Sequence, residues 1–106
     1  MQSFDLKNIQ KQAGESEERY LEFLRVPSMS VGLYRLPAGG TDLQSPHKQD
    51  EVYYVLAGKA KLQGAAESRD AFPGAVLFVE AGAQHKFVDI EEDLELLVFF
   101  TPAEQS

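Results

Sequence analysis

The sequence predicts an antiparallel all-β fold, a small sandwich or barrel, on the basis of two observations. From residue 20 onward, short runs rich in Val, Leu, Tyr and Phe follow one another, and Gly or Pro ends almost every run. Evenly spaced short strands separated by turn residues are typical of sandwiches and barrels. After residue 20, no segment has the pattern of a long amphipathic helix. A chain of 106 residues fits one domain, so we expect a single barrel.

The predicted elements follow in order along the chain. Residues 1–18 are polar and weakly patterned, and we expect a flexible or loosely attached N-terminal arm that begins as a helical turn and breaks at Gly14. The barrel covers about residues 20–102. Its predicted strands are residues 20–26, 28–36, 51–57, 59–63, 75–81, 85–90 and 94–101, with a turn and a short strand within 66–74. The acidic cluster at 91–95 matches no calcium-loop spacing, and it predicts a solvated turn.

Two of the predicted strands, residues 51–57 and 94–100, are apolar on both faces. A strand of this kind is covered on both sides. One face points into the barrel, and the other needs an arm, a second sheet or another subunit. An exposed patch of Tyr54, Leu56, Leu97 and Phe99 is unusual on a monomer, so we expect a homodimer.

Composition excludes several classes of function. The net charge is −7 and the basic residues are scattered, which argues against nucleic-acid binding, because that requires clustered Lys and Arg. The chain has no cysteine, which excludes disulfides, thiolate metal sites and cysteine nucleophiles. The N-terminus lacks the apolar core of a signal peptide, and no apolar run reaches membrane-spanning length. We therefore expect a cytoplasmic protein with no membrane partner.

The stretch SPHKQDEVYYVLAG, residues 45–58, holds one of the two histidines of the chain, four residues before a glutamate. If the segment is extended, Ser45, His47, Gln49 and Glu51 line one face, because alternate residues of a strand share a face. Imidazole nitrogen and carboxylate oxygen together suit Zn²⁺, Fe²⁺, Mn²⁺ or Ni²⁺. Two ligands hold such an ion weakly, and the other histidine, His85, follows a glycine turn at the start of another predicted strand.

Both histidines lie in motifs that resemble those of the cupin superfamily of small β-barrels. The first cupin motif is G-x5-H-x-H-x3-E-x6-G. Gly39, His47, Glu51 and Gly58 have its spacing, with Ser45 in place of the first histidine. The second motif is G-x5-P-x-G-x2-H-x3-N. Residues 74–89 match it through Gly74, Gly82 and His85, with Glu80 for the proline and Asp89 for the asparagine.

The resemblance, which covers about residues 30–101, implies a double-stranded β-helix or jelly roll. It also implies a divalent transition metal bound by His47, Glu51 and His85, since Ser45 removes the histidine that family members usually add. Such a set leaves coordination positions open for water or substrate. Gln49 is a weak candidate to supply an amide oxygen.

Each candidate has a structural alternative. His47 and His85 can be core or rim histidines satisfied by hydrogen bonds, and Glu51 can be a solvated acid, although its place at the head of an apolar strand disfavours this. Tyr53 lies two residues after Glu51, so both are expected on the same face of the strand. Tyr53 is a weak candidate for a general acid or a substrate hydrogen bond. The alternative is a core tyrosine whose hydroxyl is satisfied by a hydrogen bond.

Two classes of function follow from the resemblance, and the sequence does not choose between them. In the first, the chain is a metalloenzyme acting on a small organic molecule in the barrel, with dioxygenase-, isomerase- or lyase-like chemistry assisted by Tyr53 and Gln49. In the second, it is a non-catalytic barrel that binds or senses a small ligand or a metal. A structural protein with a vestigial site is a third reading, because Ser45 departs from the family pattern.

Overall fold

The computed structural model describes residues 1–105, and it confirms the antiparallel all-β prediction. One helix precedes six strands: α1 Leu6–Gly14, β1 Tyr20–Val26, β2 Met29–Leu36, β3 Asp50–Gly64, β4 Ser68–Ala71, β5 Val76–Val79 and β6 His85–Thr101. The strands form a single antiparallel sheet in the order β1-β2-β6-β3-β4, with β5 paired to β3. Since β3 and β6 are the longest strands and pair with each other, they form the centre of the barrel.

The two central strands are longer than the sequence predicts. Residues 51–57 and 59–63, separated in the prediction by Gly58, belong to one strand, β3. The predicted acidic turn at 91–93 is wrong, because these residues continue β6 with their side chains exposed to solvent. The pairing register between β3 and β6 shifts between Val55 and Lys61. Shifts of this kind bend a strand without ending it.

The N-terminal arm, predicted to be flexible or loosely attached, forms a helix longer than the expected single turn, and this helix ends at Gly14 as the sequence predicts. Asp5 caps α1 by accepting a hydrogen bond from the backbone N–H of Lys7, and the helix buries Ile9 and Ala13. These side chains pack on the outer face of the sheet in a cluster whose other members are Leu21, Leu33, Phe23, Leu56 and Leu97. The helix therefore covers part of the apolar outer face. No helix within residues 1–105 is long and apolar enough to cross a membrane.

The inner face of the barrel holds the main core. Its most buried side chains include Tyr53, Val55, Phe87, Leu94 and Leu96, each at most 2% exposed. Truncation of a fully buried leucine such as Leu96 to alanine costs about 2–5 kcal/mol, which includes the cavity that it leaves. The same inner face carries Glu51 and His85, so the polar site lies within this apolar core.

Candidate functional site

Two strands supply the buried polar side chains of the barrel. Glu51 and Tyr53 lie near the start of β3 and share its inner face, and each is 1% exposed. His85 is the first residue of β6 and is 7% exposed. Burial of a carboxylate costs several kcal/mol unless it is paired, so the partners of Glu51 decide what this arrangement can do.

Glu51, Tyr53 and His85 form a closed triangle of contacts. Glu51 Oε1 lies 2.5 Å from His85 Nε2, and the Tyr53 hydroxyl lies 3.0 Å from both of these atoms. On the other side of its ring, His85 Nδ1 lies 2.9 Å from the carbonyl oxygen of Ala83. Because a carbonyl only accepts, Nδ1 carries a hydrogen and donates it, which directs Nε2 toward the carboxylate.

The environment changes the proton affinity of two of these groups. Burial lowers the pKa of His85, but hydrogen bonds with Glu51 and the Ala83 carbonyl outweigh it, so the pKa is raised above its usual value. Burial, reinforced by the Glu51 carboxylate, raises the pKa of Tyr53 well above its usual value. At neutral pH Tyr53 is therefore a neutral hydroxyl able to donate a hydrogen bond.

His47 lies beside this triangle, in the loop that precedes β3. Its Nε2 is 3.3 Å from Gln44 Oε1, and its Nδ1 is 3.8 Å from Glu104 Oε1. The ring packs edge-on against Phe100, with centroids 4.8 Å apart, and its centroid lies 6.1 Å from that of His85. The loop is held in place by a backbone hydrogen bond from Gly82 N to the His47 carbonyl, which ties it to the turn before His85.

The extended face predicted for residues 45–51 needs correction. Residues 41–49 are not part of a strand, and β3 begins at Asp50, so the alternation that places Ser45, His47 and Gln49 beside Glu51 does not hold. Ser45 is exposed. Gln49 is 4% exposed, and within the described chain its Oε1 has no hydrogen-bond partner. The loop gives each side chain its own direction, which strand parity cannot predict.

Sequence reasoning missed Gln44 and Asp42. Gln44 Oε1 lies 3.3 Å from both His47 Nε2 and the Tyr53 hydroxyl, and Gln44 Nε2 donates to Asp42 Oδ2 at 2.7 Å. Asp42 is 5% exposed and also accepts from the Tyr34 hydroxyl and the backbone N–H of Phe87. Gln44 directly precedes Ser45, the motif position that lacks its histidine, but no periodicity marks it in an irregular loop.

A cavity of about 200 Å³ opens beside these groups. It is lined by Tyr20, Tyr34, Gln44, His47, Tyr53, Val98, Phe100 and Glu104. A larger open groove of about 730 Å³ surrounds Lys59, Asp70 and Phe72, but neither histidine lines it. The smaller cavity is the candidate ligand site, because Gln44, His47 and Tyr53 line it and the Tyr53 hydroxyl contacts both Glu51 and His85.

The residues can be tested for their fit to a metal ion. Within residues 1–105, no group of three or more His, Cys, Asp or Glu side chains is arranged to hold one. The donor types nevertheless suit a transition metal, because Glu51 Oε2 is buried without a hydrogen-bond partner and the Ala83 carbonyl orients His85 Nε2 inward. Glu51 and His85 thus offer donor types that suit a metal ion, although their nearest atoms contact each other at 2.5 Å, and His47 faces Gln44 and Glu104.

Comparisons with known proteins agree with this architecture. The model of a family described as "Cupin domain" matches residues 32–100. An uncharacterized protein of Streptomyces coelicolor is 46% identical over 104 residues, which cover 98% of this chain and 99% of that protein. The crystal structure of TT1209 from Thermus thermophilus is 27% identical, with a TM-score of 0.75, over 97% of this chain and 99% of that one. The DMSP lyase DddQ from Ruegeria pomeroyi shares the fold, with 21% identity and a TM-score of 0.70 over 82% of this chain and 49% of that one.

Proposed function

Because this chain belongs to the cupin family, we propose that it binds a divalent transition metal through Glu51, His85 and His47 and that it binds or transforms a small organic molecule in the adjacent cavity. One observation carries the proposal. Glu51 is 1% exposed inside the barrel, and its Oε2 has no hydrogen-bond partner among the described residues. An unsatisfied buried carboxylate oxygen is costly, and a cation is the partner that removes this cost most completely.

The ligand set follows from the contacts around Glu51. His85 brings Nε2 next to the carboxylate, with Nδ1 fixed on the Ala83 carbonyl in the manner of metal-bound histidines. His47 is the proposed third donor, and to bind the ion its ring would give up its 3.3 Å contact with Gln44 or its 3.8 Å contact with Glu104. Two imidazoles and one carboxylate accept iron, manganese, nickel or zinc, so the donor set does not select the metal.

When bound, the ion supplies a Lewis acid, or a redox centre if it is iron. The residues of the chain supply position and protons. Tyr53 holds a proton on its hydroxyl, 3.0 Å from both Glu51 Oε1 and His85 Nε2, and it lines the cavity. It is the candidate to donate a hydrogen bond or a proton to a substrate. Gln49 remains a weaker candidate, because it is absent from the described lining of the cavity.

The reaction class is proposed only broadly, as dioxygenase-, isomerase- or lyase-like. The DMSP lyase DddQ shares the fold at 21% identity, which supports the scaffold and not its reaction. The alternative function is a non-catalytic barrel that binds a small ligand. It is favoured by the contact of Glu51 Oε1 with His85, which already compensates part of the buried charge without an ion.

Elemental analysis tests the proposal. Untagged protein reconstituted anaerobically with Fe²⁺, and in parallel with Mn²⁺, Ni²⁺ and Zn²⁺, should retain about one ion per chain after desalting and lose it to a chelator. His85→Gln should abolish stoichiometric binding, whereas Lys86→Gln, on the neighbouring exposed residue of β6, should leave it intact. If no ion is retained under any of these conditions, the metal-dependent function is overturned and the ligand-binding barrel takes its place.

A further inference from the structure

We propose that, in the protein without a bound metal ion, the cavity selects a small ligand that donates a hydrogen bond to Gln44 and carries no anionic group. This deepens the proposed function by naming a ligand class for the same cavity. Three features carry it: the orientation of one amide, the charges around the cavity, and the aromatic character of its walls.

The amide of Gln44 has a defined direction. Asp42 is fixed by the Tyr34 hydroxyl at 2.7 Å and by the backbone N–H of Phe87 at 2.8 Å. An ionised carboxylate only accepts hydrogen bonds, so the Gln44 amide group must turn Nε2 toward it, at 2.7 Å. Oε1 then faces the opposite way, toward His47 and Tyr53 on the cavity side.

The carbonyl oxygen of Gln44 has capacity for a ligand. Its contacts with His47 Nε2 and the Tyr53 hydroxyl are both 3.3 Å long, whereas the Tyr53 hydroxyl lies only 3.0 Å from Glu51 and from His85. Both bonds are weak because they are long, and the Tyr53 hydroxyl is closer to Glu51 and His85 than to Gln44. A hydroxyl, amide or amino group of a ligand at this position would therefore replace weak contacts with a stronger one.

The charges around the cavity oppose an anion. Of the described residues that line it, none is Lys or Arg, and Glu104 contributes a carboxylate. Two further carboxylates, Asp42 and Glu51, lie behind the lining. The nearby Arg25 is occupied by the side chain of Glu22 and the backbone carbonyl of Glu104, and it also lies 4.0 Å from the Glu104 carboxylate. Arg25 and His85 thus already have carboxylate partners, so a carboxylate or phosphate ligand would compete with Glu22, Glu104 or Glu51 for a cation.

The walls favour a flat or compact apolar body. Tyr20 packs edge-on against both Tyr34 and Phe100, with ring centroids 6.3 Å apart in each pair, and Val98 completes the apolar side. Tyr20 reaches this position because residue 32 is glycine: a Cβ there would lie 2.2 Å from the Tyr20 ring. The ligand class is thus a small, uncharged or cationic molecule with an apolar body and one hydrogen-bond donor.

Three isosteric probes of different charge test the inference: benzamide, benzoate and benzamidine. Binding is measured by calorimetry on chelator-treated protein, because a bound divalent cation would itself attract anions. Benzamide and benzamidine should bind, with benzoate at least about tenfold weaker. A second series, isobutyramide and isobutyrate, repeats the comparison with a smaller body.

Gln44→Met, which removes the acceptor at similar volume, should weaken benzamide about three- to tenfold. Ser45→Met places the same side chain on the exposed neighbouring residue and should not. Equal or tighter binding of benzoate, equal effects of the two Met variants, or no binding of either amide would each overturn the inference. Metal retention is scored separately on the same protein, so failure of the metal site and failure of the ligand class are distinguishable.

Discussion

Glu51 Oε1 lies 2.5 Å from His85 Nε2 inside the barrel, and the two residues come from the starts of β3 and β6. The pair joins the two cupin motifs, because Glu51 lies in the first and His85 lies in the second, 34 positions later. It also determines how the protein without bound metal responds to pH, because the bond is strongest when the imidazole carries a second proton.

The His85 contribution to the stability of the metal-free protein should fall as pH rises through the raised pKa of this residue. The pKa of His85 is raised in the folded state, so the folded protein binds this proton more tightly than the unfolded chain. The stabilisation is complete below the unfolded pKa of about 6.5 and is lost as pH rises through the raised folded pKa.

Urea unfolding with chelator present, from about pH 5.5 to pH 9, measures this effect. His85→Gln serves as the control, and its stability should depend less on pH over the same window. Parallel pH profiles for the two proteins would show that the pair does not hold the proton.

Tyr53→Phe should destabilise the protein by about 1–2 kcal/mol. The substitution leaves the ring in the core but removes the hydroxyl that contacts Glu51, His85 and Gln44. Tyr54→Phe is the matched control, because Tyr54 is the next residue, is 41% exposed, and should change stability by less than about 0.5 kcal/mol. Chemical denaturation measures the free energy of unfolding of both variants. Similar losses of stability would contradict the conclusion that the Tyr53 hydroxyl stabilises the protein through Glu51 and His85.

Gly58→Ala should cost roughly 2–4 kcal/mol. Gly58 has φ +102, and an added Cβ would lie 2.4 Å from the carbonyl oxygen of Asp93 and 2.6 Å from Leu94 Cα on the paired strand. Gly39→Ala provides the comparison, since Gly39 has φ +73 but nothing within 4 Å of the added atom. That variant should lose only about 1 kcal/mol from backbone strain. Thermal unfolding of both variants checks that Gly58→Ala is the more destabilised. Equal losses of stability would refute the close approach between Gly58 and the backbone of Asp93 and Leu94.

The protein should form a homodimer through the part of the outer face that α1 leaves uncovered. Val76 and Phe78 on β5 are 66% and 65% exposed and pair with Tyr54 and Val52 on β3, so these side chains share one apolar face. Within the described sheet β5 pairs only with β3, which leaves an apolar edge strand beside this face. A second copy of the chain would cover both features at once.

Sedimentation velocity at micromolar concentration tests the dimer. Phe78→Lys should shift the protein toward monomer, whereas Phe72→Lys, at a residue 53% exposed and outside the strands, should not. A monomeric wild-type protein across the concentration range would contradict this prediction.

Local patterns made much of the fold predictable. The glycines of the two motifs, at positions 39, 58, 74 and 82, all have positive φ. Asp89, which replaces the motif asparagine, has φ 51, a conformation that Asp and Asn tolerate better than most residues. Backbone demands of this kind are local, so they are visible in sequence. The parity of Glu51 and Tyr53 on β3 was visible for the same reason.

By itself, the sequence determined an antiparallel barrel and the place of Glu51 and His85 in its motifs, because strand periodicity and glycine turns act over a few residues. Only the tertiary structure decided which loop side chains reach the cavity. Gln44 faces it and Ser45 faces solvent, because Asp42 is held by Tyr34 on β2 and by Phe87 on β6. These contacts join residues far apart in sequence, and a loop without regular dihedral angles has no period from which to predict them.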